Sequence, residues 1–275
     1  MELQDKVSII TGAGKGIGRA IANAYAREGA KLVLISRTLE DVEKVAQEIT
    51  AFGLEPLPLS IDVSKPDEVN TMLESSIDKF GSIDILVNNA AILGPVGPFI
   101  SNDMVEWAET FNINVTGLAL CCKAVLPGMI KQNYGKIINL SGAGVNRCSP
   151  TLSAYGVSKA AVIRFTETLA LELKGTNITV NALGPGQIDT QLLDAIVDAG
   201  SELVEPLMFN MVKNTKSGRG ASIENAAALA VWLGSNKSDS LNGRMISATQ
   251  DEWINREIDI SKIMTSELYT LRFNS

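Results

Sequence analysis

The chain has 275 residues, 45% of them hydrophobic, and a formal net charge of −7. That length allows a sizeable core, and the acidic balance argues against nucleic acid or an anionic membrane as the main partner. The complete lack of histidine excludes Ser-His-Asp triads, Cys-His dyads and histidine-ligated zinc, so an acid/base catalyst must be Tyr, Lys, Asp, Glu or Cys.

The first residues are too polar for a signal peptide. The longest apolar stretch, residues 117–130, is broken by Lys123 and Pro127 and is not expected to span a bilayer. A cytoplasmic protein is expected. Cys121 and Cys122 lie side by side in a helical run, and with Cys148 they show no metal or redox spacing, so core packing is their expected role and no metal is predicted.

Residues 6–11 form a short β-rich run that ends in Gly12-Ala13-Gly14-Lys15-Gly16-Ile17-Gly18. A helical pattern follows through Ala20, Ile21, Ala24 and Tyr25, and Gly29 stops it. Strand, glycine loop and helix in this order make the phosphate-binding turn of a dinucleotide fold. The glycines let the backbone approach a pyrophosphate, and the helix N-terminus offers free N–H groups and the positive end of its dipole. Residues 31–36 are a second buried-type strand, whose end is where such folds read the adenosine ribose. An Asp or Glu there suits an unphosphorylated ribose, but this chain has Ser36 followed by Arg37. Lys15 and Arg37 are therefore expected to converge on a 2′-phosphate, which points to NADP, with NAD as the alternative.

Residues 40–52 read as an amphipathic helix, and residues 58–63 as a third strand whose Asp62 and Val63 are placed to meet an adenine ring. Pro66 opens a helix over 66–80, as proline in a first turn does. Residues 83–87 are a fourth strand, running into Asn88-Asn89-Ala90-Ala91. A long helical region over 103–130 contains Asn114 and Gly117, which predict a kink with freed backbone groups. Residues 136–141 and 178–183 are strands, and the second leads into Gly184-Pro185-Gly186-Gln187-Ile188-Asp189-Thr190. Residues 191–220, with scattered Met208, Phe209 and Met211, read as a mobile substrate lid. A helix over 222–233 and a strand over 244–248 complete the pattern. Strands separated repeatedly by helices predict a three-layer α/β Rossmann fold, a doubly wound, mostly parallel seven-stranded sheet. No repeat or linker interrupts the alternation, so residues 1–250 are expected to be one domain and 251–275 a tail of unassigned structure.

Tyr155 and Lys159 stand four residues apart at the head of a helical run, so a phenol and an ammonium share one helical face. The nearby positive charge is expected to lower the tyrosine pKa from its usual value of about 10. That suits a general acid/base working near neutral pH.

Taken in order, these motifs resemble the short-chain dehydrogenase/reductase family over residues 1–250. Thr11-Gly12-x-x-x-Gly16-x-Gly18 is similar to its cofactor loop, Asp62 to its adenine-contacting acid, and Asn88-Asn89-Ala90-Ala91 to the Asn-Asn-Ala-Gly that supports its central sheet. Tyr155-x-x-x-Lys159 resembles its catalytic pair, and Asn114 stands where the family keeps a catalytic asparagine that holds a water near the lysine. Asn181-Ala182-x-x-Pro185-Gly186 resembles the segment beside the nicotinamide, with Thr190 on its carboxamide. The resemblance also implies cofactor contacts from Gly14, Ile17, Val115, Leu140, Ser141 and Ile188. It implies hydride transfer from NADPH to the carbonyl carbon of a small-molecule substrate, or the reverse from an alcohol. Tyr155 would exchange the proton, Lys159 would hold the ribose hydroxyls, and Asn114 would anchor a relay water. It further implies a homodimer or homotetramer built on the helices that begin near Asp103 and Tyr155.

Two departures stand out. The substrate-orienting serine of the family is replaced by Gly142, with Ser141 before it, and the usual final Gly-Gly is replaced by Ser247-Ala248-Thr249 and a longer tail. If the strand stays regular, Ser141 faces away from the substrate and Gly142 leaves room for a bulky one. Asn146, Ser149 and Ser153 are then candidate replacement donors. The alternative is a bulge at Gly142 that swings Ser141 into the site. The competing reading is a dinucleotide-binding sensor or scaffold with little turnover.

Overall fold

Runs of β-branched and leucine residues bounded by glycine and polar turns become the strands of the structure, a computed structural model that describes residues 1–142, 148–249, 253 and 258–271. Strands β1 (Val7–Thr11), β2 (Lys31–Ser36), β3 (Leu57–Ser60), β4 (Ile85–Asn88), β5 (Gly135–Leu140), β6 (Ile178–Gly184) and β7 (Met245–Ser247) form a seven-stranded sheet in the order β3-β2-β1-β4-β5-β6-β7. Every pairing is parallel. Pro58, which lacks a ladder donor, lies in the edge strand β3, where that loss is tolerated.

The central strands are buried on both faces, which explains their nearly continuous apolar sequence. Alternate residues serve opposite layers. Ile10, Leu32 and Leu34 pack with α1 (Gly16–Arg27), α2 (Leu39–Thr50) and α9 (Ile223–Gly234). Ile9, Val33 and Ile35 pack with α3 (Pro66–Phe80), α5 (Leu118–Gln132) and α6 (Ser153–Glu172). The result is helix, sheet, helix. The strand order reverses between β1 and β4, and that switch point opens a crevice at the carboxyl ends of the strands.

The kink expected near Asn114 is a π-helical turn over Asn112–Gly117, set between α4 (Met104–Phe111) and α5. Such turns disturb the i→i+4 ladder and recur at functional sites. By length and hydropathy alone the rod Met104–Gln132 could cross a bilayer, but Cys121, Cys122, Val125 and Met129 are spent on the core.

The segment read as a lid is helical, with α7 (Asp194–Ala199) and α8 (Pro206–Asn214) joined to a π turn at Thr215–Arg219. Pro206 and Glu205 explain α8: the proline fits its first turn, and the Glu205 carboxylate accepts from the N–H groups of Leu207 and Met208. Ile196, Val204 and Val212 pack against Leu93, Leu152 and Tyr155.

The tail gains a structural role. Met245 N–H donates to the Tyr269 carbonyl at 2.9 Å, and the Trp253 indole donates to the Ser247 carbonyl at 2.9 Å. These bonds cover backbone groups on the outer side of β7, an otherwise open sheet edge. Past α10 (Ile260–Met264), Leu271 is held between Arg164 and Glu167 of α6, each at 2.5 Å.

Candidate active site

The glycine loop sits at the switch point because two strand ends are stitched together behind it. Thr11 Oγ1 accepts the N–H groups of Asn89 and Ala90, both at 3.0 Å. The Asn89 amide returns bonds to the carbonyls of Thr11 (2.9 Å) and Gly12 (3.0 Å). Gly12 takes a left-handed turn, φ +64°, and a Cβ there would lie 2.8 Å from the Asn89 amide nitrogen, so only glycine fits. Gly18 stands behind the loop, where a side chain would collide with the Gly12 carbonyl. No side chain caps the N-terminus of α1 and its first turn carries no acid, which leaves an anion-receptive end.

In front of this loop lies a cavity of ≈ 970 Å³. It brings together Gly12, Gly14, Lys15, Gly16, Ile17, Ser36, Arg37, Asp62, Val63, Asn89, Ala90 and Ala91 from the first half of the chain. Leu140, Ser141, Tyr155, Lys159, Pro185 and Thr190 come from the second half. The size, the uncapped helix end and the glycine cradle fit a dinucleotide. Asp62 suits a contact with ligand N–H or O–H donors. Burial alone would raise its carboxyl, but the Ser64 hydroxyl and N–H, with Arg37 and Lys65 nearby, hold it below the usual carboxylate value.

Several expected residues lie elsewhere. Gly186 and Ile188 line the neighbouring cavity, while Val115 and Asn114 line neither. The Asn114 side chain is a clamp: it accepts from Ile92 N–H at 2.9 Å and donates to the Ile92 carbonyl (2.9 Å) and Ser158 hydroxyl (3.0 Å). Its amide is committed to joining the β4 loop to α6, so a relay role would fall to backbone groups of the π turn. Asn181 is likewise committed, to the Leu241 carbonyl and Arg244 N–H. Thr190 lies 3.3 Å from a Cβ built at Gly16, over the phosphate loop as well as the inner cavity.

The sequence reading missed Thr38 and Asp41 at the start of α2, and Asp189 and Lys216 at the lid, all of which line the first cavity. Their position just past β2 and β6 was the available signal. Lys15, expected to meet a phosphate, instead forms an ion pair with Asp41 at 2.8 Å. Lys216 is held by Asp189 (2.7 Å) and Asp194 (2.5 Å), which ties the lid to the loop after β6.

Tyr155 and Lys159 are buried side by side on α6, whose position is fixed by a chain of amides. Asn88 donates to Asn139 and Asn139 to Thr166, each at 2.9 Å. Lys159 Nζ donates to the Leu140 carbonyl at 2.9 Å and lies 5.6 Å from the centre of the Tyr155 ring. The expected fall in the tyrosine pKa does not occur. Burial pushes the Tyr155 phenol up to about 12 and draws the Lys159 ammonium down to about 8. Desolvation of both charged forms outweighs their attraction at this separation. The phenol therefore remains a proton-bearing donor at neutral pH.

A second cavity, ≈ 690 Å³, shares Ser141, Tyr155, Pro185, Thr190 and Leu192 with the first and extends under the lid between Leu93, Leu152, Ile196, Met208 and Met211. Gly142 lines this cavity, and a side chain at that position would collide with the Tyr155 hydroxyl, so the bare glycine makes room first for the tyrosine. The backbone ladder continues through Ser141, whose N–H donates to the Leu183 carbonyl at 2.8 Å. Of the candidate donors, Ser153 is engaged by the Trp107 indole (3.1 Å) and the Asn102 amide (3.2 Å), Ser149 lines the second cavity, and Asn146 lies outside the described residues.

The sequence profile described as short chain dehydrogenase matches residues 6–200. The 3-oxoacyl-[acyl-carrier-protein] reductase FabG of Thermotoga maritima is 32% identical over 246 residues, spanning 90% of this chain and 97% of that protein. The crystal structure of an NAD⁺-bound xylitol dehydrogenase superposes with a TM-score of 0.82 at 31% identity, covering 90% of this chain and 98% of its own. That of a single-site variant of actinorhodin polyketide ketoreductase with NADPH gives 0.81 at 26% identity, covering 88% and 95%.

Proposed function

The chain belongs to the short chain dehydrogenase family of NAD(P)-dependent oxidoreductases, and from that premise we propose that it is an NADP-dependent enzyme interconverting a carbonyl and an alcohol, with Tyr155 as the acid/base. The observation that carries the reading is the position of Tyr155, on the wall where the two cavities meet, with Lys159 on the cofactor side. The bound nicotinamide supplies or accepts a hydride, and the protein's part is orientation and electrostatics.

Tyr155 gives its proton to the substrate oxygen in reduction and takes one in oxidation. Lys159, anchored on the Leu140 carbonyl, keeps a positive charge beside that proton and lines the first cavity, where it would hold the ribose hydroxyls of a bound cofactor. Asn114 acts as a positioning residue, because it joins the loop after β4 to the turn that carries Tyr155. Ser36 in place of an acid at the end of β2, with Arg37 beside it in the cavity, supports NADP, as does the likeness to an NADPH-bound ketoreductase. Exposed Val105 on α4, with Val157 and Leu171 on α6, supports a homo-oligomer, to be checked by sedimentation velocity.

The test is oxidation of NADPH and NADH against ketones, sugars and acyl thioesters. Turnover of one class with NADPH preferred is expected. Tight cofactor binding without turnover of any class would favour the sensor reading.

A further inference from the structure

Asp41 stands where the chain would receive the phosphorylated end of its cofactor. It lies in the first turn of α2, just past Arg37 and Thr38, on the wall of the first cavity. Its carboxylate is 2.8 Å from Lys15 Nζ; its side chain is 16% accessible, against 57% for the lysine. The glycine loop runs close against it, since a side chain at Gly14 would come within 2.6 Å of the Asp41 Cβ.

Two features at this place attract anions: the N-terminus of α2 and the Lys15 ammonium. Asp41 answers both with a charge of the chain's own. The same wall continues into a neighbouring cavity of ≈ 540 Å³ reached by Lys15, Arg19, Asp41 and Lys44. There Arg19 is gripped by Glu48 at 2.6 and 3.1 Å. Arg37 makes no ion pair among the described residues. A ribose 2′-phosphate, carrying about −1.5 to −2 charges, would meet Arg37 unopposed but would compete with Asp41 for Lys15.

We propose that Asp41 is a specificity-determining residue that holds back the preference for a 2′-phosphorylated cofactor by occupying Lys15 and repelling the phosphate. The inference rests on the reading that the first cavity takes NADP. An unphosphorylated ribose has no charge to contest Lys15, so Asp41 leaves NADH binding largely untouched.

The experiment is a titration of NADPH and NADH, by quenching of protein fluorescence, into wild type, Asp41→Asn, Lys15→Met and the double variant. Asp41→Asn is expected to tighten NADPH about tenfold and to move NADH less than about twofold, the scale of freeing one charge-assisted contact at a partly exposed site. In the Lys15→Met background the same change should gain about threefold or less, and added salt should shrink both gains. If Asp41→Asn melts early, Asp41→Ser must reproduce the shift in the NADPH/NADH ratio. The proposal is overturned if NADPH binding is unchanged or weaker, or if both cofactors shift equally. The NADP reading is judged separately: wild type that prefers NADH removes it, whatever the Asp41 variants do to the ratio.

Discussion

On the cofactor side of Tyr155 several polar side chains have partners within the chain: Thr11 and Asn89 join two strand ends, Ser64 steadies Asp62, and Asp41 pairs with Lys15. On the lid side most of the lining is apolar, with Met208 and Met211 reaching in from α8, and the charged groups are used on the lid itself. Glu205 caps α8, and Lys216 latches the lid to Asp189 and Asp194. One half is tied by polar contacts, while the other is lined in part by methionines, whose unbranched side chains suit irregular shapes. This difference lets a family keep one cofactor chemistry and vary the substrate.

The sharpest way to break the comparison is at the residue both halves share. Tyr155→Phe keeps the packed ring but removes the proton donor. Turnover is expected to fall at least about 10³-fold, with cofactor affinity within about twofold. A variant retaining a few per cent of wild-type kcat would mean that another group is the acid. Parallel loss of cofactor affinity would mean that the Tyr155 hydroxyl also holds the cofactor.

Lys159 sharpens the contrast by separating stability from activity. Its ammonium is buried with the Leu140 carbonyl as its recorded hydrogen-bond partner, and burial lowers its pKa from 10.5 to about 8. Below pH 8 the folded chain bears the whole cost of that charge. Between pH 8 and 10.5 the unfolded chain binds more protons than the folded one, so wild-type stability gains with rising pH. Lys159→Met is therefore expected to be more stable than wild type at pH 7 by about 1–3 kcal/mol, with the margin closing toward pH 10. Its kcat should fall about a hundredfold or more. Chemical denaturation at several pH values reads the first effect, and a less stable variant at pH 7 would show that the Leu140 bond outweighs burial. In the wild type, carbonyl reduction should decline above about pH 8 as the ammonium is lost.

The two halves also differed in how far the sequence disclosed them. Strand, glycine loop and helix are local signals, and the residues they mark, Gly12, Gly14, Lys15, Gly16 and Ile17, line one cavity together with Asp62 and Asn89. Lys15 went astray because its partner, Asp41, is on another helix, and no periodicity reports a cross-loop ion pair. Asn114 and Asn181 were placed correctly in the chain, but their amides satisfy buried backbone groups, a demand visible only once the loops are folded. The tyrosine pKa failed for a related reason: helical spacing shows that Lys159 is near, but not that both groups are buried. The helices of the segment 191–220 gave no clear periodic signal because α7 and α8 are short and part of their apolar face lines a cavity rather than a continuous core.

The smallest expected effect concerns Ser141. Its hydroxyl is buried and has no hydrogen-bond partner among the described residues, although the residue lies on the wall shared by the two cavities. The bond from its N–H to the Leu183 carbonyl continues the ladder of β5 through Ser141, and Gly142 presents its bare face to the Tyr155 hydroxyl. In its present rotamer the hydroxyl is enclosed and offers no donor to a substrate oxygen. Removing it should also relieve an unsatisfied polar group, worth up to about 1–3 kcal/mol where no other partner forms. Ser141→Ala is thus expected to keep kcat/KM within tenfold of wild type and to melt at the same temperature or slightly higher. Loss of one donor to a developing oxyanion typically costs about 10²–10³ in rate. A fall of that size, with cofactor affinity intact, would make Ser141 the donor in place of the missing serine. The lid side would then hold a fixed polar contact after all.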